Sequence, residues 1–171
     1  HMFHARPGAG ASSGGDGWHG SGEWHSAGGL KFGSVEVAET RFPLFFERHE
    51  YREYSGGDGR YIGGSGCELL MHLETEVDCV VNTAGEGIRH AGEGREGGGP
   101  GATHDYRVIA PDGADRILKT KEEGVPVRAG SIFDVRSGGR GGWGSPVLRS
   151  AEEREEDELA GLPPIAAGRM V

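Results

Sequence analysis

Apolar positions along the chain fall in short groups separated by glycine, and that punctuation predicts strands more often than helices. A first strand signal begins near Leu30, where Val35, Val37 and the branched Thr40 precede Arg41-Phe42-Pro43. It continues through residues 44–54, in which Phe45, Phe46, Tyr51 and Tyr54 alternate with charges as on a sheet with one wet face. Ser55-Gly56-Gly57-Asp58-Gly59 predicts a turn. Residues 67–73 and 77–81 predict two more strands, joined as a hairpin through 74–76. Residues 106–110 and 116–118 flank Pro111-Asp112-Gly113-Ala114, a hairpin connection, and 126–129 with 131–135 form another short pair around Gly130. A helix is expected only at 151–159, where Ser150 and Glu153 have the spacing of a capping box and acids fill the early turns.

These elements predict a mainly β fold, a barrel-like or sandwich arrangement of antiparallel sheet with a short C-terminal helix. Three regions follow: 1–29 as a glycine-rich extended segment, 30–147 as a β-rich domain with glycine-rich ribbons, and 148–171 as the short helix and tail. Glycine is the compositional anomaly, at 34 of 171 residues, or roughly 20% against about 7% in average proteins. No sustained Gly-X-Y period supports collagen. The clusters are also interleaved with Val, Ile, Leu, Phe and Tyr, which disordered linkers lack. A folded, extended, polyproline II-like backbone is the expected use of this glycine, with Trp18 and Trp24 supplying burial in the first segment. A mobile arm is the alternative there.

The formal charge of −9, from 18 basic and 27 acidic residues, argues against a partner that presents a phosphate backbone, so no nucleic acid is expected. Cys67 and Cys79 are too few for a disulfide scaffold and lack metal-site spacing, which suits buried thiols in a cytoplasmic protein. No apolar run approaches the length of a membrane span, and no membrane partner is expected.

Several motifs carry possible chemistry. Asp16, His19, Glu23 and His25 lie close together in sequence, and Asp16, His19 and His25 can offer oxygen and imidazole ligands to Zn, Fe or Mn. Solvated polar groups on a glycine-rich segment are the plainer reading. Gly92-Glu93-Gly94-Arg95-Glu96-Gly97 has the letters of a dinucleotide fingerprint, but Gly98-Gly99-Pro100-Gly101 forbids the helix that would aim N–H groups at a pyrophosphate. Ser65 in Gly63-Gly64-Ser65-Gly66 lacks the spacing of a nucleophile elbow. Arg60, Arg89, Arg95 and Arg140 sit beside glycine clusters, where a guanidinium either satisfies carbonyls of extended backbone or holds a carboxylate or phosphate.

Longer stretches carry a family likeness. Val35-Glu36-Val37-Ala38-Glu39-Thr40-Arg41-Phe42-Pro43-Leu44, then Glu47-Arg48, then Ser55-Gly56-Gly57-Asp58-Gly59-Arg60-Tyr61-Ile62-Gly63-Gly64-Ser65-Gly66 resembles the signature of the hydantoinase B/oxoprolinase family. Gly97-Gly98-Gly99-Pro100-Gly101 and Ser137-Gly138-Gly139-Arg140-Gly141-Gly142-Trp143-Gly144-Ser145-Pro146 resemble its later glycine blocks. Arg140 interrupts the terminal glycine run and Ser145 stands in place of the usual acid.

The resemblance implies the carboxy-terminal part of a B-type subunit of ATP-dependent hydantoinases, 5-oxoprolinases or acetone and acetophenone carboxylases. It implies large A-type and B-type partner subunits, with ATP and Mg bound by the A-type partner, no cofactor bound by this chain, and Zn, Fe or Mn in the full complex. Members of this family are several times longer, so the chain alone is expected to be inactive and to support a B-subunit active site. A non-catalytic binding or scaffold module presenting Trp18, Trp24 and Trp143, and a small metalloenzyme using His19 and His25, are the competing readings. Lactam hydrolysis and ketone carboxylation stay equally open.

Overall fold

The computed structural model of the chain describes residues 5–21 and 33–165. The chain enters the first regular element, helix α1 (Val35–Arg41), through Ser34, whose hydroxyl accepts the Val37 N–H at 3.3 Å. Strands follow as β1 (Leu44–Tyr51), β2 (Cys67–Leu73), β3 (Cys79–Ala84), β4 (Asp105–Ile109), β5 (Asp115–Ile117), β6 (Lys121–Val127) and β7 (Ile132–Arg136). A 3₁₀ turn at Pro146–Leu148 precedes helix α2 (Ala151–Leu159), which opens with the full Ser150/Glu153 capping box. The mainly β, antiparallel fold with a short terminal helix is therefore as the sequence predicts.

Four local expectations change. Val35, Val37 and Thr40 lie in a helix and not a strand, because the Ser34 cap nucleates one turn before the residue ahead of Pro43 is forced into extended geometry (Phe42 φ −130°, ψ 149°). The reversal expected at 55–59 is broader, with bends at Gly56, Gly59 and Arg60 and the Gly63 N–H closing on the Gly57 carbonyl at 2.8 Å. Strands β2 and β3 do not form a hairpin: β2 is an interior strand flanked by β1 and β7, and β3 pairs with β6. Strands β6 and β7 are likewise adjacent in sequence but belong to different sheets, with the chain turning at Gly130 (φ 75°).

The main sheet has the order β1-β2-β7-β4-β5, and every neighbouring pair is antiparallel. The expected β4–β5 hairpin is present, with Val108 opposite Arg116. Alternation along β2 buries Cys67, Leu69, Met71 and Leu73 on one face, joined there by Phe133 of β7 and by Tyr106 and Val108 of β4. Val125 and Val127 of the two-stranded β3–β6 ribbon enter the same cluster, giving a sandwich-like core.

Beyond the sheets, residues 7–20, 55–66, 92–101 and 137–144 run as extended ribbons that pack on one another. Their hydrogen bonds are scattered over several neighbours: Gly64 N–H to Ala9 O (2.8 Å), Gly57 N–H to Arg140 O (2.9 Å), Arg140 N–H to Gly64 O (3.1 Å) and Gly142 N–H to Gly99 O (2.9 Å). The backbones approach so closely that a Cβ on Gly63 would lie 1.7 Å from the Arg140 carbonyl oxygen, and one on Gly139 would lie 1.9 Å from that of Ser55. Close approach is the reason for the glycine here, whereas Trp18, expected to supply burial in the first segment, is 80% exposed.

Candidate functional site

Charged side chains converge where the first ribbon meets the C-terminal helix. Arg149 is almost fully buried and its guanidinium binds two carboxylates: Asp157 at 2.7 and 2.8 Å, and Asp16 at 3.0 and 3.2 Å. Asp16 Oδ1 also accepts the Ile62 N–H at 2.7 Å. Burial works against the Arg149 charge, but the hydrogen bonds to Asp157 and Asp16 outweigh it and raise the pKa further. Beside it, Arg60 reaches both Glu153 oxygens at 2.6 Å and lies 4.9 Å over the Tyr61 ring, which faces Trp143 at 6.0 Å. That arginine, together with Ser150, draws the Glu153 carboxyl down to about 2. This clasp ties the tail to the ribbons and leaves its carboxylates fully engaged.

His19 sits at the same end. Its Nδ1 accepts the Ser65 N–H at 3.0 Å, so the neutral ring carries its proton on Nε2. A metal-bound histidine usually has the reverse arrangement, ligating through one nitrogen and donating from the other. Burial lowers the His19 pKa, opposed by Asp16 and Asp157. Of the sequence-derived ligand candidates, Asp16 and His19 are thus brought together, each with a protein partner, while His25 lies outside the described residues, as do Glu23 and Trp24. No group of three or more metal-binding side chains occurs among the described residues.

The remaining candidates separate cleanly. Ser65 has a buried hydroxyl with no hydrogen bond, and its neighbour His19 takes its backbone N–H, so no base serves it. The Gly92 to Gly97 stretch ends in a turn closed by Gly98 N–H to Arg95 O, with no helix after it. Cys67 and Cys79 are free; burial pushes the Cys67 thiol up to about 11, and burial with Asp78 raises that of Cys79. Tyr54, Asp58, Arg154, Asp157, Glu158, Pro163 and Pro164 line a depression of about 170 Å³, below the several hundred Å³ usual for a small-molecule site.

Sequence reasoning missed Arg149 and His104. Arg149 follows a Pro-Val-Leu stretch with no motif around it. His104 is a lone histidine, yet only 8% exposed, with Nδ1 2.8 Å from the Tyr106 hydroxyl. Burial, reinforced by Arg140 and Arg52, pushes its pKa down to about 4.

The fold and its glycine ribbons can be placed among known proteins. The family model described as hydantoinase B/oxoprolinase matches residues 2–146. The chain belongs to the hydantoinase B/oxoprolinase family. It is 34% identical to 5-oxoprolinase 1 of Arabidopsis thaliana over 66% of the chain and 9% of that protein. It is 28% identical to caprolactamase subunit beta of Pseudomonas jessenii over 95% of the chain and 28% of that subunit. The nucleotide-free structure of an acetone carboxylase shares the fold with a TM-score of 0.77 at 21% identity, over 93% of this chain and 25% of that one. The chain therefore spans less than a third of the length of the relatives it matches. Among the described residues, no helix is long and apolar enough to cross a membrane.

Proposed function

We propose that the chain serves as a small subunit or C-terminal piece of a B-type subunit in an ATP-dependent complex that hydrolyses cyclic amides or carboxylates ketones. Its role is to support the B-subunit active site. The observation that carries this reading is the close-packed glycine bundle, in which four ribbons interlock largely through backbone hydrogen bonds at glycine contact points. Such a bundle is a rigid wall. The relatives' printed names, an oxoprolinase, a caprolactamase subunit and an acetone carboxylase, supply the reaction classes.

The chemistry then falls to partners. ATP with Mg belongs on an A-type subunit, and any Zn, Fe or Mn on other parts of the complex, since Asp16 and His19 are spoken for by Arg149, Ile62 and Ser65. Phosphorylation of a lactam or enolate oxygen there would make the next step accessible to water or bicarbonate. Trp18, Val147 and Leu148 are 80%, 84% and 65% exposed, which suits a chain that packs against larger subunits in the cytoplasm.

Co-expression with the A-type and large B-type subunits tests this. The expected result is one complex that co-purifies and shows substrate-dependent ATP hydrolysis, separately assayed with a lactam and with a ketone plus bicarbonate. A chain that stays monomeric while the large subunits turn over fully without it would instead make it a free-standing binding module.

A further inference from the structure

Arg140 stands in the ribbon 137–144 between two glycine pairs, and its main chain is wholly used in the bundle. Its N–H donates to Gly64 O at 3.1 Å and its carbonyl accepts the Gly57 N–H at 2.9 Å. The side chain leaves past Gly92, where a Cβ would lie 2.8 Å from Arg140 Cδ. Arg48, Arg60, Arg107 and Arg149 each hold a carboxylate, but the Arg140 guanidinium has no hydrogen bond or ion pair among the described residues.

His104 lies beside it. The imidazole fits between Gly87 and Gly138, whose Cβ positions would be 3.3 and 3.4 Å from its Nε2. Nδ1 is held by the Tyr106 hydroxyl, and Nε2 has no partner among the described residues although the side chain is more than nine-tenths buried. Behind both, Arg52 donates to Thr103 O at 2.8 Å and Ser137 O at 3.2 Å, placing a third basic group next to the residues that carry His104 and Gly138.

We propose that Arg140 and His104 form a binding subsite for a small carboxylate, between the 85–92 stretch and the 137–144 ribbon. The guanidinium presents a fork to the two carboxylate oxygens. Nε2–H supplies a further donor when the Tyr106 hydroxyl donates its hydrogen bond to Nδ1, the tautomer that leaves the ring proton on Nε2. Gly87 and Gly138 let the backbone close on the imidazole from both sides, and Gly92 leaves room for the Arg140 side chain to pass. Among the described residues, the charged groups that act on His104 are Arg140 and Arg52, with the Tyr106 hydroxyl on Nδ1, so a bound anion opposes the two cations and favours the protonated ring. The subsite is separate from the Arg149 clasp and does not depend on the complex proposed above.

NMR of the full chain with labelled histidine tests this by titrating acetate against chloride at constant ionic strength, near about pH 6 where acetate is ionised. The expected result is a saturable shift of the His104 ring signals with acetate only, and a His104 midpoint raised by about one pH unit when acetate is bound. R140Q should weaken acetate binding by about tenfold or more, with R140K intermediate. An equal response to chloride, or unchanged affinity in R140Q, overturns the subsite. Tighter binding of inorganic phosphate than of acetate overturns its carboxylate class. Should R140Q not fold, the comparison of acetate with chloride on the wild-type chain decides alone.

Discussion

In the five-stranded sheet, β2 places Leu69 and Met71, each 2% exposed, against Phe133 and Val108, so the layers are held apart and together by side chains. In the glycine ribbons, Gly63 and Gly139 occupy equally central positions with nothing beyond Cα, and neighbouring carbonyl oxygens fill the space a Cβ would need. One region therefore depends on volume and the other on its absence. Substitutions that add or remove a few atoms should act in opposite senses in the two.

The largest effect is expected from G63A, whose Cβ would meet the Arg140 carbonyl oxygen at 1.7 Å. Relief requires moving two ribbons, so the cost should exceed about 4 kcal/mol in urea unfolding, or the chain should not fold. A cost near that of a surface change would show that the ribbons are not closely packed. In the sheet, removing atoms is what hurts: L69A should cost about 3 to 4 kcal/mol through lost transfer energy and a residual cavity.

Next comes acid sensitivity where the two regions join. His104 titrates at about 4 in the folded chain and ordinarily near 6.5 when exposed, so the unfolded state binds more protons between those values. Stability contributed by keeping this ring neutral is complete above pH 6.5 and is lost as pH falls toward 4, at most about 3 kcal/mol. Thermal unfolding of wild type and H104N across that window should show the slope in the first and its reduction in the second. The smallest effect is expected from G10A, whose Cβ would be 4.0 Å from the nearest atom, Gly141 O, with no left-handed backbone to strain. It should be neutral or add up to about 1 kcal/mol by restricting the unfolded chain.

The same contrast explains what could be read in the sequence. Helix α2 was legible because its signal is local: Ser150 and Glu153 satisfy each other's backbone. The β4–β5 hairpin was legible from Pro111-Asp112-Gly113-Ala114, and β2 from its buried run. Helix α1 was not, since Val35, Val37 and Thr40 favour strands and only the Ser34 cap, with Glu39 taking the Phe46 N–H, sets the outcome. Which strands pair was also hidden, because β2 finds both partners at long range while its sequence neighbour β3 turns to β6. Ribbon contacts were least legible of all, because glycine has no side-chain period to reveal a face. Family membership was readable for a related reason, as backbones this tightly packed admit few other residues at their contact points. The candidate sites split likewise. Asp16 and His19 stood out as polar letters among glycines, whereas Arg149 gains Asp16, and His104 gains Arg52 and Arg140, from chain segments far away in sequence.

If the glycine ribbons form a rigid, backbone-bonded body, their hydrogen-bonded amides resist exchange with solvent. Amide hydrogen exchange at Gly57, Gly63, Gly64, Arg140 and Gly142 measures it most directly, since each of these N–H groups donates to another ribbon or across its own. Protection comparable to that of Leu69 and Val108 in the sheet is expected. Exchange of these amides at the rate of an unstructured chain, while the sheet stays protected, would contradict it.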